Sequence, residues 1–234
     1  MNIVVTGASR GIGAEIVKIL ARHKGNKIVA ISRNGDGLRK LLNECQKNVP
    51  EVKIVTCEFD LSQIEFYPFL LQKIEGLFLH CDILINNAGK LYNKPIEKIE
   101  PADFDEVFNV NVKSVFFLTK LLIPMLPNGA HIVNIGSIGG LQGSKKYPGL
   151  SAYSSSKAAV AVLTESMAEE FEERGISVNC LALGATQTEM FEKAFPGMKA
   201  PQSANQMAQY IVDFAFNGHK FMNGKIIPVS IAVP

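Results

Sequence analysis

The stretch Asn2-Ile-Val-Val-Thr6, running without a break into Gly7-Ala-Ser-Arg-Gly-Ile-Gly13, decides how the chain folds. A short β-branched run bounded by glycine reads as a buried strand. Glycines at a strand-to-helix turn permit positive φ and let the backbone come close to a pyrophosphate, while the first helical amides and the helix dipole favour its negative charge. The occupant this implies is a dinucleotide. The glycine spacing differs from GxGxxG, and no Gly-Lys-Ser/Thr closes the turn, so it is not a P-loop. The candidate contacts are Gly7, Ser9, Arg10, Gly11, Ile12 and Gly13.

Further along, short β-branched runs at 2 to 6, 27 to 32, 52 to 57, 82 to 86, 130 to 136, 176 to 182 and 225 to 229 alternate with amphipathic segments. That alternation predicts βαβ units: a doubly wound, Rossmann-like parallel sheet of about seven strands with helices on both faces, a three-layer αβα sandwich. Gly25 is placed to end the first helix, Pro101 to open a later one at its first turn, Pro124 and Pro127 to close it, and Gly175 to end the helix before 176 to 182. With no repeat and no linker-like composition, residues 1 to 234 read as one domain.

The end of the second predicted strand selects between nicotinamide cofactors. An acidic residue about twenty positions after the last glycine would hold a ribose 2′-hydroxyl. Ile31-Ser32-Arg33-Asn34 stands there instead. Arg33 offers planar donors suited to a 2′-phosphate, and Arg10 is within reach of the same group, so NADP(H) is expected over NAD(H).

Ser151-Ala-Tyr-Ser-Ser-Ser-Lys157 opens a long helical segment. On a helix Tyr153 and Lys157, at i and i+4, share a face. An ammonium beside a phenol favours the phenolate and brings proton exchange closer to neutral pH, which makes Tyr153 a general acid or base. Ser137 follows the strand at 130 to 136 at its carboxyl end, the edge of an open α/β sheet where ligands bind, and its hydroxyl suits a substrate carbonyl oxygen.

These motifs, in this order, resemble the single-domain members of the short-chain dehydrogenase/reductase family. The resemblance runs from about residue 2 to 229 and takes in Thr6 to Gly13, Asp60 after the third strand, Asn86-Asn87-Ala88-Gly89 after the fourth, Asn111, Ser137 and the Tyr153/Lys157 pair. It implies a catalytic tetrad of Asn111, Ser137, Tyr153 and Lys157. Ser137 would orient the carbonyl and Tyr153 exchange the proton. Lys157 would bind the nicotinamide ribose and lower the Tyr153 pKa, with Asn111 helping to hold a water relay behind it. The resemblance also implies that Asp60 and Leu61 border the adenine, that Asn87, Ala88 and Gly89 support cofactor and sheet, and that Gly184, Thr186 and Thr188 line the nicotinamide and phosphate side. A homodimer or homotetramer, built through the long helices including the one bearing Tyr153, is implied as well.

Four departures from the family stand out. Leu183 occupies the position where proline is usual before Gly184, which frees φ, adds an amide donor and predicts a more mobile nicotinamide edge. The loop Ile138 to Leu150 is a few residues longer than usual and carries Lys145 and Lys146; the two readings are attraction of an anionic substrate and, favoured here, ordinary solvated charges. The segment from Thr188 to about Asn217 is short for a substrate lid, and its Met190, Phe191, Phe195 and Met198 are expected to be more often core than pocket. The tail after 229 lacks the Asp-Gly-Gly frequent in the family.

Composition narrows the remaining possibilities. Twenty-four basic against 22 acidic residues leave a net charge of +2, far from a nucleic-acid binder. Cys45, Cys57, Cys81 and Cys180 are dispersed, as are the four histidines, so neither disulfides nor a metal site is expected and a reducing cytoplasm fits. No leader is apparent, and no apolar run approaches the ~18 residues of a membrane span. The leading function is an NADP(H)-dependent oxidoreductase interconverting a small carbonyl and an alcohol. The alternative is a non-catalytic NADP(H) sensor on the same fold. Epimerase or dehydratase chemistry is disfavoured because the short carboxyl-terminal region leaves little room for a substrate domain.

Overall fold

The computed structural model describes residues 1–231. Seven strands form one wholly parallel sheet: β1 Asn2–Thr6, β2 Lys27–Ser32, β3 Lys53–Glu58, β4 Ile83–Asn86, β5 His131–Ser137, β6 Ser177–Leu183 and, at the far edge, β9 Ile226–Val229. Their order is β3-β2-β1-β4-β5-β6-β9. Each predicted strand is present, displaced by at most one residue at either end. Two further strands of two residues each, β7 Thr186–Gln187 and β8 Gln202–Ser203, pair with one another; nothing in the periodicity of so short a segment announces them.

Alternation along the strands sorts side chains between two cores. Ile3 and Val5 of β1, with Val133 and Ile135 of β5, face the helices α1 Gly11–Ala21, α2 Gly35–Asn48 and α8 Ala204–Asn217. Val4 and Ile132 point to the opposite side, against α3 Tyr67–Glu75, α5 Ser114–Leu122 and α6 Ser151–Glu170. Both faces of the central strands are therefore buried, which is why they read as continuous apolar runs.

Helix α4, Pro101–Phe108, begins with proline at its first turn as the sequence predicts, and α5 ends before Pro124. Gly175 adopts a left-handed conformation at the turn before β6. Gly25 does not end α1; the helix closes at Ala21, and Gly25 (φ 84°) lies in the following turn. Between α4 and α5 the chain makes a π-helical turn, Asn109–Lys113, so that Pro101–Met125 is one helical rod. The rod's most apolar 18-residue window has a mean hydropathy of 1.3, although Asp103, Asp105, Glu106, Lys113 and Lys120 interrupt any continuous apolar run along it. Packing accounts for the apolarity, because Val107, Val110, Val115, Leu118 and Leu122 are all buried.

The sheet order reverses beside β1, since the chain leaves it for β2 on one side and returns with β4 on the other. Loops diverging from the carboxyl ends of β1 and β4 open a crevice at that point, where ligands bind in open α/β sheets.

Candidate active site

The Gly-rich turn forms one wall of this crevice. Gly7 and Gly11 have φ of 65° and 55°, which glycine alone adopts without strain. A Cβ on Gly7 would stand 2.8 Å from Ala88 Cα, and one on Gly13 2.2 Å from the Gly7 carbonyl oxygen, so these two glycines serve the turn's own packing. Thr6 and Asn87 tie the turn to the β4 loop. Thr6 Oγ1 accepts from the amides of Asn87 and Ala88 (both 3.0 Å), and Asn87 Nδ2 donates to the carbonyls of Thr6 and Gly7 (3.0 and 3.3 Å). The first turn of α1 has no side-chain cap and no acidic residue, and Thr188 lies across it, with Cγ2 3.5 Å from where a Gly11 Cβ would be. Helix α7, Glu189–Ala194, starts there, with Thr188 Oγ1 accepting from Phe191 N (3.2 Å). Uncapped amides, positive-φ glycines and a hydroxyl above them fit a pyrophosphate.

On the adenosine side, Ser9 Oγ and Ser32 Oγ are 2.8 Å apart, and Asn34 caps α2 through Gly37 N (3.0 Å). Arg33 stands half exposed at the end of β2, with Nη1 3.7 Å from Asp60 Oδ2 and 3.5 Å from Glu106 Oε1. Asp60 Oδ1 accepts from Ser62 N and Oγ (2.9 and 2.8 Å), which fixes its carboxylate at the rim, whereas the Leu61 side chain is buried in the α3 and α5 core. Arg10 is paired with Glu189 (2.9 Å). Both arginines assigned to a 2′-phosphate are thus held by carboxylates. Gly184 and Thr186 follow β6, Thr186 Oγ1 donating to Gly184 O (3.3 Å).

The four tetrad candidates lie on three elements around the crevice floor. Asn111 occupies the π-helical turn, fully buried. Its Oδ1 accepts from Lys90 N (2.7 Å), and its Nδ2 lies within bonding distance of both Lys90 O (3.0 Å) and Ser156 Oγ (2.8 Å). Ser137 ends β5 and accepts from Gly139 N (3.2 Å), and its hydroxyl lies on the Tyr153 phenol side, where it favours the phenolate. Lys157, buried on α6, donates from Nζ to Ile135 O (2.7 Å) and sits 5.9 Å from the Tyr153 ring centre. Gly89 faces both Asn111 and Lys157: a Cβ there would be 3.7 Å from Asn111 Oδ1 and 3.8 Å from Lys157 Nζ.

Electrostatics at the floor correct one expectation. Burial pushes the Tyr153 phenol above its ordinary pKa, offset by the Ser137 hydroxyl, and Lys157 contributes no lowering. Burial lowers Lys157 itself to about 8, with the neighbouring Cys180 opposing. Desolvation penalises charge on either group, and here the lysine spends a donor on the Ile135 carbonyl.

The departures also resolve. Leu183 is a buried β6 residue in register with Ser137 and Val229 and packs in the α1/α8 core, so the predicted mobile edge is a strand end. Lys146 Nζ folds back on Leu141 O (2.5 Å) and Ser144 Oγ (2.7 Å), and Lys145 lies over the Tyr147 ring, in keeping with ordinary loop charges. Phe191 and Phe195 are half-buried outside both cores and form an aromatic group with Tyr147, while Met198 is exposed; they are not core. Val233 and Pro234, with Ala232, lie outside the described residues.

Sequence reasoning missed several partners. Ser156 is visible only as one of three serines before Lys157. Lys90, Tyr92 and Glu106 form a cluster, Lys90 Nζ to Glu106 (2.8 Å) with the Tyr92 hydroxyl on the same carboxylate, that joins the β4 loop to α4. Only the charge pattern of the segment could have suggested it.

A model of the short chain dehydrogenase family matches residues 1–199. Gluconate 5-dehydrogenase of Gluconobacter oxydans is 36% identical over 192 residues, covering 81% of this chain and 73% of the relative. Among solved structures, a 4-hydroxyisoleucine dehydrogenase complexed with NADH superposes with a TM-score of 0.84 at 25% identity, covering 98% of this chain and 96% of the other. A short chain dehydrogenase from Burkholderia cenocepacia in complex with NADP superposes at 0.86 and 24% identity, covering 97% and 95%.

Proposed function

Because this chain belongs to the short-chain dehydrogenase/reductase family of oxidoreductases, we propose that it is one domain over 1 to 234 that interconverts a small organic carbonyl and its alcohol with NADP(H). The observation that carries the reading is the floor of the crevice, where Ser137 meets the Tyr153 phenol and Lys157 and Asn111 are each held by buried hydrogen bonds. Geometry of that kind preorganises a proton donor.

When bound, the nicotinamide supplies or accepts the hydride. Gly7, Ser9, Gly11, Ile12, Gly13 and Thr188 would hold the pyrophosphate, Arg10 and Arg33 the 2′-phosphate, Asp60 and Leu61 the adenine, and Asn87 to Gly89, Gly184 and Thr186 the remaining length. In reduction Ser137 Oγ donates a hydrogen bond to the carbonyl oxygen, and Tyr153 gives that oxygen its proton. In oxidation Tyr153 takes the proton back. Lys157 would bind the nicotinamide ribose. Asn111 fixes the Lys90 backbone and Ser156, and so the depth of α6. Support for NADP(H) is the arginine at the end of β2 where an acid would select NAD(H).

Tyr153→Phe should lower kcat by on the order of 10² to 10⁴ across a carbonyl panel while the Kd for NADPH stays within about twofold. Preserved turnover would overturn the assignment. Tight NADPH binding with no turnover by the unaltered protein on any carbonyl would favour the sensor instead.

We place the protein in the cytoplasm, in keeping with four free, buried cysteines. Its partner would be a second copy, as a homodimer or homotetramer. An apolar groove of about 730 Å³ between α4, α5 and α6, with Phe116 and Val162 exposed, supports that reading. Light scattering should show a dimer or tetramer; a monomer at micromolar concentration would refute it.

A further inference from the structure

Acidic side chains crowd both arginines on the adenosine side of the crevice. Arg10 Nη1 donates to Glu189 Oε2 at 2.9 Å, a contact between the Gly-rich turn and the first residue of α7. Arg33 Nη1 lies between Asp60 and Glu106. A fourth carboxylate, Glu58, rests on the first turn of α2, where a Cβ on Gly35 would fall 2.0 Å from Oε2. Glu106 is no loose surface acid. It is fixed by Lys90 and by the Tyr92 hydroxyl, and although burial works against it, those bonds and the charge of Arg33 keep its pKa below the ordinary value.

A phosphate monoester carries about −1.5 to −2 charges at pH 7 and is a strong guanidinium acceptor. To engage Arg10 or Arg33 it must displace or share a carboxylate and must sit near the negative charge that remains. A cofactor with a bare 2′-hydroxyl meets neither cost. Asp60 serves the adenine rim and its own turn, which leaves Glu106 and Glu189 as the acids whose contact with the arginines has no other stated use at the cofactor. We propose that Glu106 and Glu189 are specificity-determining residues: each competes with the 2′-phosphate for an arginine and narrows the preference for NADP(H) over NAD(H). This rests on the reading of Arg10 and Arg33 as 2′-phosphate ligands.

Binding, not turnover, tests it. Dissociation constants for NADPH and NADH are measured by cofactor fluorescence with the unaltered protein, Glu106→Gln, Glu189→Gln, the double variant and Arg33→Ala. Exposed ion pairs of this kind correspond to roughly two- to fivefold in an equilibrium constant. Each glutamine should therefore tighten NADPH by about that factor and leave NADH unchanged, the two effects multiplying in the double variant and shrinking at high salt. Equal tightening of both cofactors, or no change in either glutamine variant while Arg33→Ala weakens NADPH, overturns the proposal alone. If Arg33→Ala leaves NADPH binding intact, the 2′-phosphate assignment of Arg33 falls, and the role of Glu106 falls with it. Should Glu106→Gln disturb folding through Lys90 and Tyr92, the solvent-exposed Glu189→Gln still decides.

Discussion

The floor of the crevice and its adenosine-side rim handle polar groups in opposite ways. At the floor, Lys157, Asn111 and Ser156 are buried, and each is bonded to backbone or to another of the group. At the rim, Arg10 and Arg33 are half exposed and meet acids whose own exposure lets water compete. A buried polar group left without its partner costs far more than the bond was worth, whereas an exposed ion pair contributes little. The floor is thus fixed before any ligand arrives. The rim is exchangeable, as a site must be if an incoming phosphate is to recruit its arginines.

The strongest way to break this contrast is to titrate the floor. Lys157 is lowered to about 8 from 10.5 by burial. A lysine whose folded pKa lies below its unfolded value binds fewer protons when folded, between those two values. Stability should therefore climb as pH rises from about 8 to 10.5, with the cost of the buried charge fully present below 8. Relative to Lys157→Met, the unaltered protein should gain on the order of 3 kcal/mol over that window, read from urea unfolding at each pH. Parallel pH profiles for the two proteins would show that the ammonium is not desolvated, and the floor would then resemble the rim.

Next in size is the anchor beneath it. Asn111→Leu removes the acceptor for Lys90 N and one partner of Ser156 Oγ inside a packed region. A loss of about 2 kcal/mol is expected, together with a fall in kcat larger than any change in the Kd for NADPH. A surface-like cost under half a kcal/mol would mean that water reaches the π-helical turn.

What the sequence disclosed follows the same division. Strands β1 to β6 and the Gly-rich turn were legible because hydrophobic runs and glycine constraints are local, and the proposed tetrad of Tyr153, Lys157, Ser137 and Asn111 was named from the order in which those residues resemble the family. The π-helical turn at Asn109–Lys113 has no periodicity of its own to betray it, and β7 and β8 are too short to have any. The ion pairs of the rim were invisible for another reason. Arg10 and Glu189 are 179 residues apart, and each alone reads as a solvated charge. The unexpected direction at Tyr153 has a related cause: helical spacing predicts that Lys157 is near, but not that its ammonium is turned to Ile135 O or that burial outweighs it.

The smallest effect belongs to the rim pair itself, and it sharpens the contrast by its smallness. In a double-mutant cycle on Arg10→Ala and Glu189→Ala, the coupling should be below about 1 kcal/mol in unfolding free energy and should fade as salt rises, because both side chains are more than half exposed, so that water and ions reach the pair. A coupling of several kcal/mol, insensitive to salt, would make the pair a structural bolt between the Gly-rich turn and α7. Glu189 would then be too costly to displace, and a 2′-phosphate would have to be held by Arg33 without help from Arg10.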